Sequence, residues 1–224
     1  MNMIRAILFD AAGTLIHLPR GVGWHYREIA ARHGIDVEES RLGAAFGRAF
    51  KAAGPRVSTG IARADDDKAW WRALVRRVFA ACGHPPEETV FDGMFEELYA
   101  HFAEPGVWAL YPEAPAVLAA LRGKYRLGVV SNFDRRLYRV LEHAGILQDF
   151  EMVLLSSELG ADKPDPRVFA AAIARLGVAP GEVIHAGDDP DQDWKAAEAA
   201  GLHVFRVERP ARGLEGLPEF AGRL

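Results

Sequence analysis

A single cysteine, Cys82, occurs in 224 residues. No disulfide can form within the chain, cysteine-rich zinc sites are excluded, and the composition suits a reducing cytoplasm. Lysine is nearly as scarce, with five residues against 22 arginines. That imbalance reads as a bias of coding, and it makes a lysine inside a loop motif less of an accident. No run approaches the roughly 18 consecutive apolar residues that suggest a membrane span, so no membrane partner is expected. Nor is there an excess of basic charge: the formal net charge is −4, which excludes a generally basic nucleic-acid binder. Internal repeats and low-complexity tracts are absent. What remains is a chain half hydrophobic and 26% charged, enough for a full-sized core in one domain or one domain carrying an insertion. The start, Met1-Asn2-Met3-Ile4-Arg5, runs straight into an apolar segment that reads as a strand and not as a leader.

Short, nearly continuous apolar runs are the signature of parallel strands buried on both faces. Five are visible: Ile4 to Phe9, Arg126 to Val130, Met152 to Leu155, Val183 to Ala186 and His203 to Val207. Helical patterns separate the later ones, over Glu113 to Arg122, Arg135 to Ala144, Pro166 to Leu176 and Asp193 to Ala200. This alternation predicts an α/β fold with a doubly wound parallel sheet, and such sheets bind ligands at the carboxyl ends of their strands. The stretch from 17 to 105 breaks the alternation. It reads as four helices: Trp24 to His33; one opened by an Asp36/Glu39 capping box and stopped near Gly54-Pro55; one capped within Asp65 to Asp67; and one from Pro85-Pro86 through Tyr99. In the third, Trp71, Leu74, Val75, Val78, Phe79 and Cys82 form one apolar stripe. The expected organisation is a core of residues 1–16 and 106–224, with an all-helical cap inserted over 17–105 and hinges near Ile16–Leu18 and Glu104–Gly106.

Four loop signals fall in order at the expected strand ends: Asp10-Ala11-Ala12-Gly13-Thr14-Leu15, Ser131-Asn132, Lys163-Pro164, and Gly187-Asp188-Asp189 followed by Asp193. Together they supply a carboxylate on a tight turn, hydroxyl and amide donors, one lysine and an acidic pair. Clustered carboxylates repel unless a hard cation such as Mg²⁺ holds them through oxygen ligands. The set suits phosphoryl transfer, where positioning and charge neutralisation dominate, and an aspartate can serve as nucleophile.

With these four motifs and a helical insertion between the first two, the sequence resembles the haloacid dehalogenase superfamily, subfamily IA, over essentially its whole length. The tandem Trp70-Trp71 and the run Val130 to Leu137 resemble the branch named for a rhythmically expressed gene. The resemblance implies a Rossmann-like core under a helical cap and a hydrolase that needs Mg²⁺. It makes Asp10 the nucleophile and a metal ligand, with the Ala12 carbonyl and Asp188 as further ligands. Thr14, Ser131, Asn132 and Lys163 would contact the phosphoryl group, Lys163 also neutralising charge beside Asp10. Asp189 and Asp193 would hold metal-bound water and Lys163. Family phosphatases carry a second aspartate two residues after the nucleophile as acid/base; here that position is Ala12. Losing such help costs about 10²–10⁴-fold in rate, most for alcohol leaving groups and least for acyl and aryl phosphates.

The expected function is therefore Mg²⁺-dependent hydrolysis of a small phosphorylated metabolite by a cytoplasmic monomer or homodimer. The alternative is a catalytically silent or weak relative that binds a phosphoryl ligand or a protein partner. Two minor readings are C–P cleavage through a cap lysine such as Lys51, and dehalogenation, which in this superfamily works without metal and without an acidic pair. His17 and His25, early in the cap, are candidates for a replacement acid. A response-regulator receiver shares the acceptor, acidic pair and lysine, but its acidic pair precedes the acceptor.

Overall fold

The computed structural model describes residues 3–54 and 56–224. It divides into two compact units: Met1–His17, Val57–Arg63 and Ala109–Leu224 form the first, and Leu18–Arg56 with Ala64–Trp108 the second.

In chain order the elements are β1 (Ala6–Phe9), β2 (Ile16–His17), α1 (Gly21–Arg32), α2 (Glu39–Ala53), α3 (Lys68–Ala81), α4 (Glu88–His101), β3 (Ala109–Leu110), α5 (Ala114–Leu121), β4 (Arg126–Ser131), α6 (Arg136–His143), β5 (Met152–Leu155), α7 (Ser156–Leu159), α8 (Pro166–Leu176), β6 (Val183–Gly187), α9 (Ala196–Ala199), β7 (His203–Arg206) and α10 (Leu217–Arg223). A π-helical turn, Pro190–Lys195, leads into α9.

The first unit is built on a five-stranded sheet of order β5-β4-β1-β6-β7, parallel throughout, with helices on both faces. All four residues of β1 are buried, as expected of a strand covered on both faces. Its register pairs Phe9 with Val129 of β4 and Ala186 of β6. Asp10, Ser131 and Gly187 therefore emerge side by side at one end of the sheet, where the strand order turns around β1. One helix shows how local chemistry sets an element. Asp165 accepts the Arg167 N–H as N-cap, Pro166 opens α8, and Gly177 closes it at φ 59°, the left-handed region glycine tolerates. The helix buries Val168, Phe169, Ala172 and Leu176 in the cluster that holds Leu8, Val130 and Leu154. Burying each of the larger three, Val168, Phe169 and Leu176, is worth about 1.5–3 kcal/mol before entropy is counted.

The second unit is helical, α1 to α4, around Tyr26, Ile29, Leu42, Val75, Val78, Phe79, Phe91, Phe95 and Leu98. The expected stripe of α3 faces this core. One local expectation changes. Glu38, not Asp36, sits at the N-cap of α2, and no side chain caps it, so the Asp36/Glu39 box does not form. Asp65 caps the start of α3 by accepting the Ala69 N–H. The α2 stop lies at Gly54, with φ 64°; the Pro55 half of that expectation falls outside the described residues, as does the Met1-Asn2 start.

Val57–Arg63, within the span expected to be cap, clusters with the sheet unit. The N–H groups of Thr59 and Gly60 donate to the Gly160 carbonyl, and Arg63 N–H donates to Ser157 O. Arg63 also pairs with Asp162 at 3.1 Å. The last crossing between units falls at Trp108/Ala109, a few residues beyond the expected hinge. Beside it, β2 and β3 pair antiparallel, a two-residue ribbon too short to leave a sequence pattern.

Candidate active site

Asp10 leaves β1 with its N–H donating to the Ala186 carbonyl at 2.8 Å, and the residue is only 7% exposed. The turn that follows is tight: the N–H groups of Thr14, Leu15 and Ile16 all donate to Ala11 O, and Gly13 N–H donates to Ile16 O. Gly13 is required there. Its φ is +97°, and a Cβ would lie 2.3 Å from Asp188 Oδ2.

Lys163, 2% exposed, donates to Asp10 Oδ1 at 2.8 Å and to Asp193 Oδ1 at 2.5 Å. A buried ammonium needs such partners. Burial alone would lower its pKa, but the carboxylates of Asp10 and Asp193 outweigh this and raise it, so it stays charged. Ser131, at the end of β4, donates its hydroxyl to Asp10 Oδ1 at 3.3 Å. Thr14 donates its hydroxyl to Asp188 Oδ1 at 3.2 Å.

Asp193 is saturated. Its Oδ1 takes Lys163 and the ring of fully buried His185 (2.8 Å), and its Oδ2 takes the Asp189 N–H (3.1 Å). Burial would raise its carboxyl; Lys163 and His185 prevail and hold it low. Asp10 goes the other way. Burial lifts it to about 6 against the pull of Lys163, with Asp193 and Asp188 adding to the rise. Asp188 is likewise raised, by burial and then by Asp193.

Ligand atoms of Asp10, Asp188 and Asp193 lie within 4.8 Å of one another. Carboxylate oxygens are the donors a hard cation takes. With Asp193 committed to Lys163 and His185, Asp10 and Asp188 are the two left for an ion, so the donor set fits Mg²⁺. Ala12 adjoins them, its residue exposed and bridged to Ile16.

Two expected site residues make hydrogen bonds within the protein. The Asn132 amide donates to Lys163 O (2.9 Å) and Gln192 Oε1 (2.7 Å), and its carbonyl accepts the Lys163 N–H (2.7 Å). Asn132 thus fixes the peptide that carries the lysine. Asp189 Oδ1 accepts the N–H groups of Asp191 and Gln192, both at 2.8 Å. It caps the helical turn behind the site, the arrangement that unsatisfied helix-start donors favour.

His25 lies in the helical unit, its Nδ1 2.9 Å from His101 Nε2. Burial, then His101 and Arg20, push its pKa down to about 4, which keeps it neutral and unfit as a proton donor at pH 7. His17 stacks on Tyr111 with ring centroids 4.6 Å apart. Lys51 is exposed in the last turn of α2. Asp134 is fully buried and accepts the Arg136 N–H and guanidinium. His185, Gln192 and Arg209 belong to the site's surroundings without any motif that would have marked them.

The chain belongs to the haloacid dehalogenase-like hydrolase family, whose model matches residues 4–201. Within it, the bovine (Bos taurus) haloacid dehalogenase-like hydrolase domain-containing protein 3 is 37% identical over 209 residues, 92% of this chain and 83% of that protein. The rhythmically expressed gene 2 protein of Drosophila melanogaster is 30% identical over 92% of this chain and 84% of its own. A phosphoserine phosphatase of Thermus thermophilus is 38% identical over 59% of each chain. Among solved structures, the defluorinating L-2-haloacid dehalogenase Rha0230 superposes with a TM-score of 0.77 at 25% identity, covering 92% of this chain and 82% of its own.

Proposed function

We propose that this hydrolase is a Mg²⁺-dependent phosphohydrolase acting on a small phosphorylated metabolite through an aspartyl phosphate on Asp10. The observation that carries the reading is the buried Lys163 bridging Asp10 and Asp193, with Asp188 alongside. A saturated lysine–carboxylate pair leaves Asp10 and Asp188 free for a hard cation, and it aims one positive charge at the place where a phosphoryl group meets Asp10. The phosphatase relative supports the same chemistry. Dehalogenation gains no support from an acidic cluster of this kind.

Bound Mg²⁺ would supply charge neutralisation at the phosphoryl oxygens, held by Asp10, Asp188 and the Ala12 carbonyl. The other work falls to the chain. Asp10 attacks phosphorus, the bond from phosphorus to the ester oxygen breaks, and that oxygen leaves with the electron pair. Lys163 and the Ser131 hydroxyl offset charge on the phosphoryl oxygens. Asn132 contributes by fixing the Lys163 peptide. Water then attacks phosphorus, the bond to Asp10 breaks, and orthophosphate departs with the carboxylate regenerated. At Ala12 no carboxyl is available to protonate the leaving oxygen or to take the proton from water, so substrates whose leaving group needs no proton are favoured.

The Ala12 position also supports a second reading, a weak or silent phosphoryl-ligand binder on the same fold. Turnover of acetyl phosphate and p-nitrophenyl phosphate, with and without Mg²⁺, decides between them. The expected result is Mg²⁺-dependent turnover that vanishes in Asp10→Asn and rises modestly in Ala12→Asp, since the leaving groups of these two substrates need the acid least. Folded wild type and Ala12→Asp that both turn over neither substrate would leave the binder. The same reading places the protein in the cytoplasm, without nucleic-acid partners, as a monomer or homodimer. Among the described residues no helix is long and apolar enough to cross a membrane.

A further inference from the structure

We propose that Arg209 is a positioning residue of this site: its guanidinium fixes the Gly13 and Thr14 carbonyls and thereby holds the nucleophile turn and Asp188 in the geometry that takes Mg²⁺. The inference rests on the phosphohydrolase reading above.

Arg209 follows β7. Its Nε donates to Gly13 O at 3.1 Å, and one terminal nitrogen donates to Thr14 O at 3.0 Å and to Glu113 Oε1 at 2.5 Å. The guanidinium carbon stands 3.2 Å from the Tyr111 ring centroid. Glu113 is itself held by the Leu214 N–H at 3.2 Å, and Tyr111 donates its N–H to Leu15 O at 3.0 Å. Three successive carbonyls of the turn, at 13, 14 and 15, are thus gripped by residues after the helical insertion. The sheet anchors the turn at Asp10, and Arg209 with Tyr111 anchors its far end.

The turn bears directly on Asp188. The Thr14 hydroxyl donates to Asp188 Oδ1, and Gly13 approaches so closely that even a methyl group would overlap that carboxylate. A shift at either carbonyl is therefore a shift at a ligand. Only the planar fork of arginine serves two carbonyls and a carboxylate at once; a lysine ammonium in the same place lacks that geometry. Glu113 balances the charge of Arg209, so the contribution is geometric and not a field on the phosphate. Partners that orient metal ligands typically govern about 10–100-fold in affinity or activity. A cavity of about 320 Å³ lined by Gly13, Tyr111, Asp188, Trp194, Glu208 and Arg209 gives a free guanidinium ion access once the side chain is trimmed.

The test is calorimetric titration of Mg²⁺ into the full chain, with Mg²⁺-dependent turnover of p-nitrophenyl phosphate in parallel, for wild type, Arg209→Ala, Arg209→Lys and Glu113→Gln. Folding is checked by circular dichroism in EDTA. Expected are Mg²⁺ affinities about 10–100-fold weaker in Arg209→Ala and Arg209→Lys, and a smaller loss in Glu113→Gln. Guanidinium at a sub-denaturing concentration restores the Arg209→Ala protein, where equal sodium chloride does not. Folded Arg209→Ala with wild-type Mg²⁺ affinity and turnover overturns the proposal, as does a loss that guanidinium leaves untouched. If Arg209→Ala fails to fold, wild-type affinity in both Arg209→Lys and Glu113→Gln overturns it. Wild type that neither binds Mg²⁺ nor turns over in its presence sinks the phosphohydrolase reading and this inference with it; Mg²⁺-dependent wild type with unaffected variants sinks this inference alone.

Discussion

Replacing Asp10 with asparagine is expected to stabilise the metal-free protein at neutral pH. Burial lifts the Asp10 carboxyl from its ordinary 3.8 to about 6, and Asp193 and Asp188 add to the rise against Lys163. Between those two pH values the folded protein holds a proton that the unfolded chain has released. Stability from this group therefore falls as pH rises through that window and is level above it, by about 3 kcal/mol in all. Asparagine keeps the shape and cannot ionise, so the variant escapes the loss. Lys163 is not orphaned, because Asp193 Oδ1 remains at 2.5 Å. The stability gap should be small near pH 4 and reach about 3 kcal/mol at pH 7 to 8, or roughly 6–12 °C in Tm for a chain of this size. The assay is urea denaturation in EDTA across that range, following the transition of the sheet unit. Excess Mg²⁺ should narrow or reverse the gap, since it binds the folded wild type through the carboxylate that the variant lacks. A gap that does not change with pH, or an asparagine variant less stable than wild type at pH 7 in EDTA, would refute the argument.

Two further outcomes follow from the same geometry. Mg²⁺ must displace the proton from Asp10, so its affinity should be level above about pH 7 and fall about tenfold for each unit below about 6; equal affinities at pH 5 and pH 7 in calorimetric titrations would contradict the raised Asp10. Gly13→Ala combines a φ of +97° with a Cβ 2.3 Å from Asp188 Oδ2, which should cost about 1–3 kcal/mol in stability and at least about tenfold in Mg²⁺ affinity; a folded variant with unchanged affinity would show that the turn does not set Asp188.

The sheet was legible because its central strands are covered on both faces. That makes Val183–Gly187 a nearly unbroken apolar run ending in polar residues. α8 was legible to the residue, since Asp165, Pro166 and Gly177 punctuate both ends. The short ribbon of β2 and β3 escaped, because two residues carry no period. So did the docking of Val57–Arg63, which rests on backbone N–H groups meeting the Gly160 carbonyl, contacts that leave no side-chain signature. The acidic pair shows a different limit. Asp188 and Asp189 look equivalent in sequence, yet the chain turns between them, sending one to the site and the other to the helical turn behind it. Arg209 is one arginine among 22 in a segment with no motif, and only its three acceptors distinguish it.

On the phosphohydrolase reading, charge balance favours a divalent ion at this cluster. Asp10, Asp188 and Asp193 carry three negative charges when ionised, and Lys163 returns one positive charge to the pair it bridges. Arg209 and Glu113 cancel each other nearby. The buried site is left with two negative charges, a deficit that desolvation makes costly and that the raised carboxyls of Asp10 and Asp188 record. A single Mg²⁺ closes that deficit, a monovalent ion halves it, and a phosphate dianion entering first would double it. The proposed function therefore predicts that the cation binds before, or together with, the phosphate ester. Lys163 then stands as the positive charge that the dianion meets beside Asp10, and Ala12 is the one expected acid/base position at which the chain offers nothing in return.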